Sequence, residues 1–396
     1  MTSATGPAIP DEVLEIARTL EAAGFEAWCV GGALRDALLD HPHTDFDFAT
    51  SATPSQVMSL FRHTAPVGEK YGTVGVLDRR RVLHEVTTFR RDVATDGRHA
   101  VVAYGVSLDD DLARRDFTIN AIAYHPLRHE WRDPFDGRAD LERRTIRAVG
   151  DPAQRFREDY LRILRCLRFA ARFGFSVDPA TWAAAVEAAP GLTQLSAERV
   201  RDEWFKSLRT ARSVPELVDL WRRVGAAERW IPELQAIDAE RLARAGTMPV
   251  ERRDPVLLSA MLLDDAAPVL RRLRASNADI ERAAALARGP AAPPGHDAHA
   301  VRRWLAAVGP AADDLLELHA LRHGAPAPWA DQVAAVRERR DPLTRADLAV
   351  DGRDLQAIGL SGPQLGQVLG LLLERVLDDP SRNTRDVLLA MAREVP

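Results

Sequence analysis

Val30-Gly-Gly-Ala-Leu-Arg-Asp36 and, shortly after it, Asp45-Phe-Asp-Phe-Ala-Thr50 decide how the chain folds. The run Glu26-Ala-Trp-Cys-Val30 reads as a buried strand, and Gly31-Gly32 turns it into a helix that continues through Leu39. Asp45–Thr50 reads as a second strand, broken at Ser51-Ala-Thr-Pro54. Side chains alternate along a strand, so Asp45 and Asp47 project from one face while Phe46 and Phe48 anchor the other in a core. Two carboxylates about 7 Å apart along a strand suit a pair of Mg²⁺ ions, which complete their shells from phosphates and water. The Gly-Gly turn exposes backbone N–H groups at a helix N-terminus, a favourable place for an anion at Gly32. Arg35, one turn into the helix, is positioned to grip a triphosphate oxygen.

The surrounding sequence supplies the rest of a small α/β head. Asp11 opens an amphipathic stretch with Val13, Leu14, Ile16, Ala17 and Leu20 at helical spacing, stopped near Gly24. Gly72–Leu77 and Arg81–Phe89 read as a hairpin, and Thr118–Tyr124 as a further strand or helix-edge segment. Arg90–His99 reads as a polar loop. From about Asp151 the strand signals vanish and alanine- and leucine-rich helical patterns take over. A Pro/Gly-rich joint lies at Gly289–Gly295.

Composition narrows the class. The 396 residues are 46% apolar and 28% charged, which excludes a disordered or fibrous chain. No run reaches the ~18–20 apolar residues that span a bilayer, and the N-terminus lacks the basic and apolar regions of a secretory signal. Cys29 and Cys166 are far apart and without metal-ligand spacing, so a reduced, cytoplasmic protein is expected. Only Lys70 and Lys206 are lysines, leaving 51 arginines, a bias that GC-rich coding explains as well as any function. The net charge is −5, yet residues 141–210 carry 13 basic against 9 acidic side chains. That basic segment beside the head suits a phosphate backbone.

In this order and proximity, the glycine turn and the D-x-D strand describe a nucleotidyltransferase head of the DNA polymerase β type. The likeness is closer still to the class II tRNA nucleotidyltransferases, the CCA-adding enzymes. Val30–Asp36 with Asp45–Thr50 resembles their motif A, and Arg114-Arg-Asp-Phe-Thr-Ile-Asn-Ala121 their motif B. Asp133-Pro134 with Gly137 resembles motif C, Glu158-Asp-Tyr-Leu-Arg162 motif D, and Ser196-Ala-Glu-Arg199 motif E. Gly362-Pro-Gln-Leu-Gly366 is similar to the tail of the bacterial enzymes. Ala100 stands where the family usually has proline, and Leu34, Thr44 and Asp136 also depart from its common pattern. None of the four removes a group the reaction needs.

The resemblance implies that Asp45 and Asp47 hold the metals and that Arg115 and Asp116 contact the nucleotide and its ribose. It implies further that the polar loop takes part in switching from C to A addition. On a helix starting near Asp151, Arg162, Arg165, Arg168 and Arg172 fall within about 120° of arc, opposite Ile163, Leu164, Cys166, Leu167 and Ala170. The same projection sets Asp159 about 60° from Arg162, so both are expected to face one ligand. Cytosine and adenine each show an amine donor beside a ring-nitrogen acceptor, which a carboxylate and a guanidinium match; uracil and guanine do not. Two buried mismatches at about 1–3 kcal/mol each allow roughly hundred-fold rejection. Arg165 and Arg168 carry over as further nucleotide contacts. Glu85 reads either as a third carboxylate near the metals or as a structural residue, and His296-Asp297 is not read as a phosphohydrolase site.

The expected fold class is α+β: a head with a mixed sheet and helices at 1–145, then an all-helical neck at 146–210, body at 211–285 and tail at 286–396. The expected activity is addition of C, C and A to tRNA 3′ ends from CTP and ATP, with Mg²⁺, no nucleic-acid template and release of pyrophosphate. The alternatives are an enzyme adding only A or only CC, a bacterial poly(A) polymerase, and an inactive RNA-binding protein.

Overall fold

The computed structural model describes residues 6–41, 46–68, 72–95 and 100–394. Asp45 lies outside the described residues, as does the stretch 96–99 of the expected polar loop. The chain divides into two compact units, Met1–Gln235 and Ala236–Pro396. That boundary falls inside the segment 211–285 expected as one body.

The first unit is built on a seven-stranded mixed sheet in the order β3-β4-β5-β2-β1-β8-β9. Its strands are β1 (Ala27–Val30), β2 (Asp47–Thr50), β3 (Thr64–Gly68), β4 (Thr73–Leu77), β5 (Leu83–Thr88), β8 (Ala123–His125) and β9 (Glu130–Arg132). Two short sheets accompany it, β6 (Arg90–Thr95) with β7 (Ala100–Tyr104), and β10 (Thr145–Ile146) with β11 (Ser176–Val177). The helices that matter for the site are α1 (Asp11–Ala22), α2 (Gly31–Leu38), α3 (Pro54–Leu60), α4 (Leu108–Ala113), α5 (Gly137–Glu142), α6 (Pro152–Glu158), α7 (Leu161–Phe173), α8 (Pro179–Ala188) and α9 (Ala197–Thr210).

The central strands are covered on both faces. Phe46 and Phe48 are fully buried in a cluster with Val13, Ile16 and Leu20 of α1, Val57 of α3 and Val74 and Val86 of the hairpin. Trp28, Val30 and Ala49 point the other way, against Leu112 of α4 and Ala121, Ala123 and Val149. β2 pairs antiparallel with β1 and parallel with β5, with Phe48 opposite Val86. Paired residues in a parallel ladder share a face, so Asp47 and Glu85 emerge together on the face opposite the phenylalanines. Cys29 and Cys166 are free thiols, fully buried. Burial pushes both well above the ordinary thiol value, reinforced by Asp47 for Cys29 and by Asp116 for Cys166.

Two local readings need correction. The helix expected to run on from Asp151 is two helices: α6 ends at Glu158, Asp159 is extended at φ −157°, and α7 starts at Leu161. Asp159 is therefore a junction residue, and the helical projection does not apply to it. Of the stretch expected as a polar loop, the described part Arg90–Thr95 is strand β6, paired antiparallel with β7 beyond the loop, Arg90 lying opposite Tyr104. The β-forming runs Val-Ala-Thr and Ala-Val-Val-Ala-Tyr explain it. The segment Thr118–Tyr124, read as a strand or helix edge, holds a 3₁₀ turn at Thr118–Asn120 and the start of strand β8 at Ala123.

The second unit is helical throughout its described residues, from Ala239–Gly246 to Arg385–Arg393. Helix Pro255–Leu262 is buried at every position, and a separate apolar cluster forms around Leu355, Val376 and Leu388. Asp297 caps the helix Ala298–Val308 by accepting from the Ala300 N–H at 3.0 Å. Among the described residues no helix is long and apolar enough to cross a membrane.

Phe48 ties β2 to the α1 face of the sheet. Phe48→Ala should lower unfolding free energy by about 3–5 kcal/mol, read as a shift in the urea midpoint at unchanged slope.

Candidate active site

One cavity of about 680 Å³ opens in the first unit, between the sheet and α7. Gly31, Gly32, Arg35, Asp47 and Glu85 line its sheet side; Arg114, Arg115, Asp116 and Asn120 line one wall. Asp159, Arg162, Arg165, Arg168, Arg172 and Arg199 line the other. With Arg90 included, the lining holds nine arginines and four carboxylates, so its formal charge of +5 favours a polyanion. All the sequence-expected site residues within the described segments, Gly32, Arg35, Asp47, Arg115, Asp116, Asp159, Arg162, Arg165 and Arg168, meet here.

The turn between β1 and α2 brings the backbone close to the carboxylate. Gly31 has φ +80°, and a Cβ there would lie 3.2 Å from Asp47 Oδ2 and 3.7 Å from Arg115 Nη1. Only glycine combines that backbone angle with that approach. Gly32 differs, since a Cβ would meet only Arg35 Nη2 at 3.6 Å.

Arg35 corrects an expectation. Its Nε and Nη2 donate to Asp36 Oδ1 at 2.9 and 2.7 Å, and its Nη1 donates to Asn120 Oδ1 at 2.5 Å. The guanidinium lies 5.0 and 4.9 Å from the rings of Phe169 and Phe173, and the residue is 4% exposed. Three of its five N–H groups are thus engaged, so it braces the turn against α7 more than it offers itself to a ligand. Asp36 completes the brace by accepting from Arg172 Nη2 at 2.7 Å. Burial lowers the Arg35 pKa, with Asp36 opposing.

Asp116 and Arg165, read separately as nucleotide contacts, are partners of each other. Arg165 Nε donates to Asp116 Oδ2 at 2.7 Å, while Oδ1 accepts from the Phe117 N–H at 2.8 Å and Asn120 Nδ2 at 2.9 Å. Burial alone would raise the Asp116 pKa, but Arg165 and these hydrogen bonds override it and hold it at about 2.

Asp159 and Arg162, expected from the sequence to face one base, sit at the α6–α7 break. Asp159 Oδ1 accepts from the Leu161 N–H at 3.0 Å, and Oδ2 accepts from Arg199 Nη2 at 2.7 Å. Arg162 Nη1 donates to Glu158 Oε2 at 2.7 Å and to the Arg155 carbonyl at 3.0 Å, and its Nη2 donates to the Arg114 carbonyl at 3.1 Å. The two share the cavity, each held by other groups.

Several participants escape the sequence reading. Glu203, buried on α9, accepts from Arg168 Nε, and burial lowers the Arg168 pKa against the pull of that carboxylate. Asp111, fully buried on α4, accepts from both Arg114 and Arg115. The spacing of Asp111 to Arg114 and Arg115 is the helical i,i+3 and i,i+4 signal that could have found it. Arg199 and Glu203 carry an i,i+4 signal too, but nothing local says that α9 faces α7. Arg115 Nε is buried without a hydrogen-bond partner among the described residues.

The carboxylates Asp47 and Glu85 are hard oxygen donors facing an open, phosphate-favouring cavity, a chemistry that fits a divalent cation. Among the described residues, which exclude Asp45, no group of three His, Cys, Asp or Glu side chains converges as a metal site.

Residues 27–147 match the Poly A polymerase head domain, and residues 174–242 match the probable RNA and SrmB-binding site of polymerase A. A CCA-adding enzyme of Geobacillus stearothermophilus is 34% identical over 97% of this chain and 96% of its own. One of Latilactobacillus sakei is 35% identical over 96% and 97%. The crystal structure of the Bacillus stearothermophilus CCA-adding enzyme in complex with CTP superposes with a TM-score of 0.78 at 32% identity, covering 97% of this chain and 96% of that one.

Asp116→Asn should cost about 1–3 kcal/mol at neutral pH, because half-buried Arg165 loses its charged partner. The native carboxylate pKa is depressed, so its contribution is complete above the unfolded value of 3.8 and disappears as pH falls toward about 2. The wild-type advantage over the variant in urea unfolding should therefore shrink by roughly 2 kcal/mol between pH 4 and pH 2.

Proposed function

The chain belongs to the CCA-adding enzymes, the template-independent tRNA nucleotidyltransferases, and on that premise we propose that it completes tRNA 3′ ends with C, C and A from CTP and ATP. The observation that carries this reading is the single cavity on which Asp47 and the Asp159/Arg162 pair both open. A nucleotide can lie there with its phosphates toward the sheet and its base toward α7.

The triphosphate is taken by the open N–H groups of the Gly31-Gly32 turn and by the arginine-rich wall, with Arg35 and Asp36 stiffening the turn from behind. Arg115, whose Nε is unpartnered, and Asp116 stand beside the sugar. Asp159 keeps lone pairs free beyond those used by Leu161 and Arg199 and accepts from the exocyclic amine of cytosine or adenine. Arg162 exchanges its carbonyl partners for the ring nitrogen. Uracil and guanine offer a carbonyl and an N–H in the same places and leave both protein groups mismatched. Arg165 and Arg168, anchored by Asp116 and Glu203, keep this wall in position.

Asp47, with Asp45 and with Glu85 as the third carboxylate, would hold Mg²⁺. When bound, the metal supplies charge neutralisation to the triphosphate and activates the terminal hydroxyl of the tRNA. We assign catalysis to residues 1–145, base reading to 146–210, and the grip on tRNA to 211–285 and 286–396. A cytoplasmic location suits the two free thiols.

The test offers tRNA lacking its last three, two or one nucleotides together with CTP, ATP or both, and sequences the products. Completion of CCA followed by a stop supports the reading. A lone A or lone CC identifies a partial adder, a long A tail identifies a poly(A) polymerase, and no incorporation refutes an enzyme. Asp47→Asn should lower incorporation by roughly a thousandfold or more while tRNA affinity stays near wild type.

A further inference from the structure

Asp111 lies outside the cavity, yet it controls three of the positions that line it. Its Oδ1 accepts from Arg114 Nε at 3.0 Å and Nη2 at 2.8 Å, and its Oδ2 accepts from Arg115 Nη2 at 3.2 Å. The same Oδ1 also accepts from the backbone N–H of Arg90 at 3.4 Å, the residue that opens β6. Arg90, Arg114 and Arg115 all line the cavity. A fully buried carboxylate thus joins two arginines of one wall to the base of the β6–β7 hairpin.

The hairpin base has a second anchor on its other strand. Tyr104, paired opposite Arg90, lies over Gly72 at the start of β4, where an added Cβ would come within 2.6 Å of Tyr104 Cε1. The contacts are graded. The charged pairs to Arg114 are short, and the backbone contact to Arg90 is the longest at Asp111.

We infer that Asp111 is a positioning residue that couples the base of the β6–β7 hairpin to Arg114 and Arg115, so that nucleotide binding at the arginine wall and placement of the hairpin occur together. The inference rests on the cavity being the nucleotide site. Asp111 touches no reacting atom. It neutralises two guanidiniums that would otherwise repel each other, and it also holds the backbone N–H of Arg90 at the start of β6. Its depressed pKa agrees with this: burial works against ionisation, and Arg115 and Arg114 prevail.

Three measurements decide the matter. CTP binding to the wild type by calorimetry is the control, since its absence refutes the nucleotide site itself and not the coupling. Asp111→Asn keeps the shape and removes the charge. It should weaken CTP binding by about tenfold or more with a cooperative melt and tRNA affinity within about twofold of wild type. A folded variant that binds CTP like the wild type overturns the proposal. Hydrogen exchange on the wild type, which needs no variant to fold, should show Arg90–Thr95 and Leu108–Arg115 gaining protection together when CTP is added. Protection of the second segment without the first overturns the coupling.

Discussion

Many arginines converge on one small cavity, and the structure depends on how their charge is compensated. Guanidiniums cannot be neutralised by losing protons, so each must be held by a carboxylate or by a ligand. Asp36 answers Arg35 and Arg172, Asp111 answers Arg114 and Arg115, Asp116 answers Arg165, Glu158 answers Arg162, Asp159 answers Arg199, and Glu203 answers Arg168. Asp36, Asp111 and Glu203 are buried behind the wall, and the lining itself keeps an excess of positive charge. Buried pairs of this kind contribute little net stability, because desolvation offsets attraction. Their value is geometric: they fix where each guanidinium points before a polyanion arrives.

The same pairs join elements that are distant in sequence. Asp116 of the turn after α4 meets Arg165 of α7, and Asp36 of α2 meets Arg172 two turns further on. The sheet therefore supplies Asp47 and the glycine turn, α7 supplies the opposing wall, and ionic contacts set the gap between them. Gly31 completes the arrangement, because the left-handed backbone there lets the turn sit against Asp47 Oδ2. A cavity built this way presents its polar groups in fixed positions, as the proposed selection of a base by side chains requires.

Much of this was legible in the chain because it depended on periodicity. Phe46 and Phe48 alternate with Asp47, and the two-residue period of a strand alone puts the rings inward. The apolar back of α7, Ile163, Leu164, Cys166, Leu167 and Ala170, followed from the helical period. Periodicity stopped being informative at Asp159, where two helices meet and the backbone becomes extended. It was equally silent on charge pairing. Arg35 was expected to grip phosphate, because nothing near it in sequence shows that Phe169, Phe173 and Asn120 enclose it. Glu203 and Asp111 were missed for the same reason, since a buried acid is recognised by the partner that tertiary packing brings to it. The expected loop at Arg90–His99 failed differently: its polar residues concealed the β-forming run of Arg90–Thr95, which pairs with the run Ala100–Tyr104 that follows the loop.

The most direct test is a crystal structure of this chain with CTP and a divalent cation. Triphosphate density over Gly31-Gly32 and Asp47, with the cytosine edge against Asp159 and Arg162, is the expected result. A nucleotide bound with its base remote from Asp159 and Arg162, or with its phosphates away from Asp47, contradicts the assignment of one cavity to both catalysis and base choice.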